Sequence, residues 1–279
     1  MGQVLLGRPT VRFAPLPVQR GERTANWQFH GKRPIREVPY VPTPDVVVRT
    51  MLDVANVTEK DVVYDLGCGD GRIVIAAAEK RGARGVGVDI DPRRIQECKT
   101  NAIKARVPDR VRFLEQSLFS VDVGEASVVA LYLLPWMNTQ LRPKLLAELR
   151  PGSRIVAHQF AISDWPADRI VRLMELGRTV FCWIVPAKCN GRWQCSIRTG
   201  DGVLRRGTIE LEQEFQTVVG LAKLSNREMP LENMSLSGDR LTFTLAGVTY
   251  YTRVCGDMIR GSGRCSSRRG ELEVRARHL

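Results

Sequence analysis

No run of apolar residues in this sequence approaches the roughly 20 needed to span a bilayer as a helix. No short repeat is present, and glycine (24) and proline (15) are ordinary in number among 279 residues, which excludes collagen-like, coiled-coil and low-complexity chains. The seven cysteines are odd in number and include no C-x-x-C pair, so neither a zinc site nor a disulfide framework is expected. Histidine occurs three times: His30 and His278 lie near the ends and His158 stands alone, so no metal site is expected either. Val4-Leu5-Leu6, followed by Gly7 and Arg8, is too short for the apolar core of a signal peptide. With unpaired thiols, a reducing, cytoplasmic setting is the expectation.

What is present is enough to build a core. Hydrophobic residues make up 43% of the chain and charged residues 26%, and the length suits one large domain or two small ones. The net charge of +12 is unevenly spread. Residues 1–37 carry 7 basic and 2 acidic side chains and residues 262–279 carry 5 and 2, so eight of the twelve excess charges sit in the end segments. A nucleic-acid groove would be expected in the body instead. The ends therefore read as solvated basic arms that bury little and are dispensable for folding.

Along the chain, residues 1–37 show scattered Pro, Gly and Arg without periodicity. Three prolines within Pro39-Tyr40-Val41-Pro42-Thr43-Pro44 enforce an extended stretch. Thr43-Pro44 then opens a helix with Val47, Val48, Met51, Leu52 and Ala55 at helical spacing. From Asp61 short β-rich runs alternate with helical segments: Val62–Tyr64, a helix from Arg72, Gly85–Asp89, a helix from Pro92, Val111–Leu114, Ala126–Leu134, a helix Asn138–Leu149 and Arg154–His158. Apolar runs at 170–174 and 179–185 read as a hairpin closing the sheet. The predicted class is α/β: a Rossmann-like, doubly wound, mostly parallel seven-stranded sheet over residues 38–186. A small antiparallel β-module is expected over 187–261, and a basic disordered tail over 262–279.

The sharpest chemical signal is Asp65-Leu66-Gly67-Cys68-Gly69-Asp70-Gly71, directly after a strand and directly before a helix. Glycines allow a tight turn and close approach of a ligand to backbone, and the helix start offers free N–H groups. A dinucleotide site uses the same geometry for a pyrophosphate, which Asp65 and Asp70 would repel. The same carboxylates attract an ammonium and a sulfonium, which points to S-adenosylmethionine instead of NAD. Asp89 ends the second strand, where a carboxylate can accept both ribose hydroxyls of an adenosine. The cofactor-binding set read from this pattern is Asp65, Gly67, Cys68, Gly69, Asp70, Gly71, Asp89, Ile90, Ser117 and Leu118. Ser117-Leu118 falls where the adenine edge is expected. Tyr132 and His158 lie at the ends of the fourth and fifth strands and, with Tyr40, are the candidate catalytic residues.

Val38-Pro-Tyr-Val-Pro-Thr-Pro44, Val63-Tyr-Asp-Leu-Gly-Cys-Gly-Asp-Gly-Arg-Ile73, Gly85-Val-Gly-Val-Asp89 and Leu131-Tyr-Leu-Leu134 together resemble the seven-β-strand protein-lysine methyltransferases. The likeness is to the archaeal broad-specificity enzymes and to the mitochondrial enzymes that methylate the c-ring protein of ATP synthase, and it covers about residues 38–186. It implies that Tyr40 and Thr43 close over the methionine end of the cofactor while Asp65, Gly67, Gly69 and Asp89 bind it. Ser117 departs from the family's usual Asp or Asn, and Gln159 stands where a Glu is common. The implied partner is a protein presenting a lysine. The fourth-strand exit, Ala130-Leu131-Tyr132-Leu133-Leu134-Pro135-Trp136, carries no base-gripping Asn/Asp-Pro-Pro-aromatic motif and no Pro-Cys nucleophile, which argues against nucleic acid as partner. Methyl transfer to a small molecule or RNA is the alternative, and a non-catalytic cofactor-binding protein the second.

Overall fold

The computed structural model describes residues 40–265 and 268–279; the expected arm at 1–37 lies outside them. Among the described residues, four α-helices and two sheets follow one another. The first part comprises α1 (Asp45–Val54), β1 (Val62–Leu66), α2 (Arg72–Arg81), β2 (Arg84–Asp89), α3 (Pro92–Lys104), β3 (Val111–Glu115), β4 (Val128–Leu131), α4 (Pro135–Glu148), β5 (Arg154–His158), β6 (Arg169–Leu173) and β7 (Arg178–Ile184). These strands form one sheet in the order β3-β2-β1-β4-β5-β7-β6. The first five are parallel, and β7 runs antiparallel between β5 and β6. The Rossmann-like seven-stranded sheet is therefore present.

Side chains on β1 alternate between two cores because successive residues of a strand point to opposite faces. Val63 packs with Val47, Met51 and Leu52 of α1 and Ile73 and Ala77 of α2. Val62, Tyr64 and Leu66 pack with Leu141 and Leu145 of α4. Strand order reverses at β1, between β2 on one side and β4 on the other, and a ligand crevice opens at the carboxyl ends of strands at such a point. β4 stops at Leu131, short of the expected Leu134, and α4 starts three residues before the expected Asn138. Pro135 sits in the first turn of α4, where its fixed φ favours helix and its missing N–H costs nothing.

The second sheet holds β8 (Gly191–Arg198), β9 (Leu204–Glu214), β10 (Thr217–Leu224), β11 (Arg227–Pro230), β12 (Glu232–Ser237), β13 (Arg240–Leu245), β14 (Val248–Cys255), β15 (Met258–Cys265) and β16 (Arg268–His278). All pairings are antiparallel, in the order β11-β10-β9-β8-β16-β15-β14-β13-β12. One face of every long strand feeds a core around Trp193, Phe243, Tyr250 and Val274.

The expectation of a disordered tail over 262–279 is thereby corrected. Arg268–His278 is a strand inserted between β8 and β15, in the middle of the sheet. Val274 and Ala276 are buried and alternate with exposed Glu273, Arg275 and Arg277, a period of two hidden by the high charge. β15 was obscured for another reason. Its inward positions after Ile259 are Gly261 and Gly263, and a Cβ at Gly263 would lie 2.7 Å from the Tyr250 ring.

The β9–β10 turn joins the two sheets. Phe215, held at φ +52°, stacks on Trp165 with ring centroids 5.4 Å apart. Gln216 accepts from Trp165 Nε1 at 2.9 Å and donates to the Pro166 carbonyl at 2.7 Å. On a second edge the Ala187 N–H donates to the Gly238 carbonyl at 2.8 Å. Among the described residues no helix is long and apolar enough to cross a membrane.

Deleting residues 268–279 should unfold the second sheet, since β8 and β15 would each lose a partner and Val274 and Ala276 would leave the core. Circular dichroism and thermal melting of the truncated chain check this; a melting temperature within a few degrees of the full chain would restore the tail reading.

Candidate active site

The backbone leaves β1 through three glycines with positive φ, Gly67 at +84°, Gly69 at +54° and Gly71 at +81°, a region that side chains with a Cβ enter at a cost. The turn is anchored by the N–H groups of Gly67 and Cys68, which both donate to the Val88 carbonyl at 2.8 and 2.9 Å. From behind, α3 grips it twice: Cys98 Sγ donates to the Gly69 carbonyl at 3.1 Å and Asn101 Nδ2 to the Asp70 carbonyl at 3.0 Å. Gly71 then caps α2 without a side-chain bond, which leaves the helix start facing the crevice. A Cβ on Gly69 would run into the Tyr40 ring, so the loop and the Pro-rich segment fit only without one.

Two carboxylates flank this loop, one without hydrogen bonds to its side chain and one with them. Asp65 is 3% exposed and has no hydrogen-bond partner among the described residues. Burial, reinforced by the charges of Asp89 and Asp70, pushes its pKa up to about 8. A buried carboxylate without a donor is a costly arrangement that a cationic ligand relieves. Asp89 is already engaged: Oδ2 accepts from the Gly69 N–H at 2.9 Å and Oδ1 from the Asp91 N–H at 3.0 Å. Each oxygen keeps a second lone pair, so both can still accept a hydroxyl. Beside it Ile90 is 55% exposed, an apolar surface against which a flat ring can lie. This donor and acceptor set fits S-adenosylmethionine: Asp65 for positive charge, Asp89 for the ribose hydroxyls, Ile90 for adenine.

Asp70 does not add a free charge. Arg72 binds it through Nε at 3.0 Å and Nη2 at 2.6 Å, which holds the Asp70 carboxyl below its usual range against the opposing effect of burial. The attraction expected of two loop carboxylates thus falls to Asp65. Arg72 also donates through Nη1 to the Thr43 carbonyl at 2.9 Å, strapping the Pro-rich segment to the loop. Tyr40 lies under the Arg94 guanidinium, 3.8 Å from its ring centroid; burial, then Asp70, raises its pKa.

The other wall starts at β5. Thr43 Oγ1 lies 3.2 Å from His158 Nδ1. The imidazole is fully buried and its Nε2 has no partner; burial, then the Arg178 charge, pulls its pKa down to about 4. Tyr132 packs on it with ring centroids 3.9 Å apart, and Phe160 stacks on the far side of Tyr132 at 6.3 Å. Asn138 Nδ2 donates to the Phe160 carbonyl at 3.0 Å. Gln159, at φ +67°, accepts from the Thr179 N–H at 3.3 Å, so it braces β7.

The structure thus brings Tyr40, Thr43, Asp65, Gly67, Gly69, Gly71, Asp89 and Ile90 around one crevice, with Tyr132 and His158 at its other end. Cys68 contributes backbone only, since its thiol is buried 3.8 Å from that of Cys98. The Ser117 hydroxyl accepts from the Phe119 N–H at 3.3 Å, capping its own turn. Leu118 and Leu133 pack behind Gly67. Trp136 is half exposed and does not line a closed slot. Arg72, Cys98, Asn101, Phe160 and Asn138 were not expected. Cys98 and Asn101 are three apart on a helix and so share a face, a signal that the sequence does offer. No group of three or more His, Cys, Asp or Glu able to hold a metal occurs among the described residues.

Residues 65–169 match the family model described as the ANTKMT methyltransferase domain. A protein-lysine N-methyltransferase of Saccharolobus islandicus is 43% identical over 154 residues, 54% of this chain and 96% of that protein. A lysine N-methyltransferase of Xenopus laevis, named for the c-ring protein of ATP synthase, is 34% identical, and the match spans 48% of this chain but only 58% of that enzyme's length. Among solved structures, one of a Salinibacter ruber protein named an RNA methyltransferase, in complex with S-adenosyl-L-homocysteine, is 50% identical with a TM-score of 0.52; 53% of this chain covers 96% of it.

Asp65→Asn and Asp89→Ala separate the two carboxylates. Because the folded pKa of Asp65 lies above its ordinary value of 3.8, its ionisation destabilises the ligand-free fold increasingly as pH rises from about 4 to about 8. Asp65→Asn should therefore melt a few degrees higher than wild type at neutral pH, with the gap closing near pH 4, while binding S-adenosylmethionine at least about tenfold more weakly. Asp89→Ala should lose about 1.5–3 kcal/mol of cofactor affinity. Calorimetry and melting curves measure all of these, and unchanged affinity in either folded variant would remove that residue from the site.

Proposed function

Since this chain belongs to the class I S-adenosylmethionine-dependent methyltransferases related to the archaeal and mitochondrial protein-lysine N-methyltransferases, we propose that it transfers methyl groups to a lysine amine of a protein. The observation that carries this reading is His158: a buried, neutral imidazole with an unpartnered Nε2, beside the aromatic wall of Tyr132 and Phe160.

The cofactor, when bound, supplies a methyl group on a positively charged sulfur, an electrophile that needs alignment more than covalent help. The chain's residues have two tasks. Asp65, Asp89 and the glycine turn hold the cofactor. Tyr132 and Phe160, backed by the buried His158, receive the acceptor and exclude water. Lysine arrives protonated: with a free pKa near 10.4, about one side chain in 2,500 is neutral at pH 7. An apolar wall and a nearby positive charge both favour the neutral amine. His158, with a pKa of about 4, is too weak a base to collect the lysine proton. In the tautomer whose Nδ1–H donates to Thr43, the enclosed imidazole fixes that hydroxyl and backs the Tyr132 ring, and through them it aims the acceptor nitrogen. The proton lost by the ammonium leaves to solvent before transfer.

A second reading, transfer to RNA, is favoured by the name of the Salinibacter ruber protein. The fourth-strand exit, Leu131-Tyr132-Leu133-Leu134, has no group to grip the planar amine of a base, which supports lysine.

Methyl-labelled cofactor and cell lysate distinguish the two. Label is expected in protease-sensitive material and as methyl-lysine in acid hydrolysates, with a rate rising about tenfold per pH unit below the amine's effective pKa. Nuclease-sensitive, protease-resistant label would overturn the lysine reading. His158→Asn should cut turnover at least about tenfold with cofactor affinity nearly unchanged; full turnover would leave the imidazole a packing residue.

A further inference from the structure

The outer face of the second sheet carries a row of arginines set by strand register. Arg240 on β13 lies opposite Arg253 on β14, Arg253 opposite Arg260 on β15, and Arg260 opposite Arg275 on β16. All four are exposed. Adjacent strands are about 4.8 Å apart, so the row runs about 14 Å straight across the strands. Exposed Arg264 and Arg277 flank it on β15 and β16. Like charges directly opposite each other destabilise a sheet, so the register maintains this row against a cost.

Counter-charges do not cancel it. Arg253 pairs with Asp239 at 2.6 Å, Arg275 with Glu273 at 2.7 Å and Arg277 with Asp257 at 3.5 Å. Arg240, Arg260 and Arg264 have no ion pair among the described residues. The chain uses arginine alone here: no lysine occurs after Lys223. Arginine differs from lysine in its planar, weakly hydrated head, which forks onto phosphate and stacks on flat rings. In the next row Tyr251, 57% exposed, stands opposite Thr242 on one side and Ser262 on the other.

We propose that this face binds single-stranded RNA, with the arginine row on successive phosphates and Tyr251 under a base. A sheet that presents cations in a line beside one open aromatic ring has the composition of a single-strand platform. An anionic membrane would call for apolar side chains to insert, and only Tyr251 interrupts the charge and hydroxyls of these rows. The family-model match ends at residue 169, before β8 begins at Gly191, so this face lies outside the matched domain. The proposal goes beyond the lysine reading and stands apart from it, because it concerns binding and its test involves no methyl transfer.

The test uses the full chain and a fluorescent oligo(U) of about 16 nucleotides, with binding followed by anisotropy between about 50 and about 200 mM salt. Arg240→Gln/Arg260→Gln should weaken binding at least about tenfold at the lower salt and flatten the slope of log K against log salt by about 1.4, roughly 0.7 for each phosphate contact. Its melting temperature should equal or exceed that of wild type, because the like-charge row is relieved. Tyr251→Ala should weaken binding severalfold and leave the slope unchanged, which a simple anion site would not do. Lys60→Gln/Lys104→Gln, exposed and matched in charge on the other sheet's helices and loops, should bind as wild type does. The proposal is overturned if wild type does not bind the oligonucleotide, if the lysine pair weakens it equally, if the arginine pair leaves the slope unchanged, or if a duplex of the same length or phosphatidylserine vesicles bind more tightly.

Discussion

A single buried carboxylate with no hydrogen-bond partner among the described residues, Asp65, is the constraint around which the catalytic half is arranged. It lies one residue before the end of β1, on the side of the sheet where Val63 packs against α1 and α2, and its burial raises its pKa to about 8. A folded protein keeps such a group where the strain serves a ligand. The surrounding parts leave it free. Arg72, the first residue of α2, is taken up by Asp70 and the Thr43 carbonyl, and the turn's first N–H groups go to Val88. No cation among the described residues is therefore left to neutralise Asp65.

The same logic operates at the other wall. His158 gives one nitrogen to Thr43 and leaves the other without a partner in a dry setting. Its lowered pKa means that protonation in the unfolded state costs stability as pH falls from about 6.5 toward 4, whereas Asp65 costs stability as pH rises toward 8. The ligand-free fold is thus squeezed from both sides of the pH range by these two groups. Thr43 ties these walls together, since its carbonyl binds the loop-side Arg72 and its hydroxyl the β5 histidine. The Pro-rich segment works as a clamp because its prolines leave the backbone little freedom to lose.

The second sheet is braced against the first through the segment that follows His158. Phe215 and Gln216 hold Trp165 and Pro166, seven and eight residues beyond the imidazole. Trp183 Nε1 holds the Trp165 carbonyl from the opposite side at 2.8 Å, so the segment carrying Phe160 is fixed between β7 and the β9–β10 turn. The Tyr132–Phe160 wall and the antiparallel sheet share one support.

Much of this was legible in the order of residues. Asp65, the three glycines and Asp89 are adjacent in sequence or one βα unit apart, and local rules of turn, helix start and strand end place them without long-range information. The alternation of β-rich and helical runs likewise determined the parallel sheet. Three matters rested on contacts between residues distant in the chain. Arg72 pairs with Asp70 through a side-chain geometry that spacing does not reveal. Residues 268–278, which read as a basic tail, become a central strand because β8 and β15 supply hydrogen bonds on both sides, and the charge of Glu273, Arg275 and Arg277 hides the alternating Val274 and Ala276 that those neighbours help to bury. Finally, arginines at 240, 253, 260 and 275 are scattered in the sequence, and only antiparallel register sets them side by side. The sequence by itself determined the cofactor crevice, because its parts are local; tertiary structure alone decided which charges are paired internally and which face outward, because pairing energy depends on distances that the fold creates.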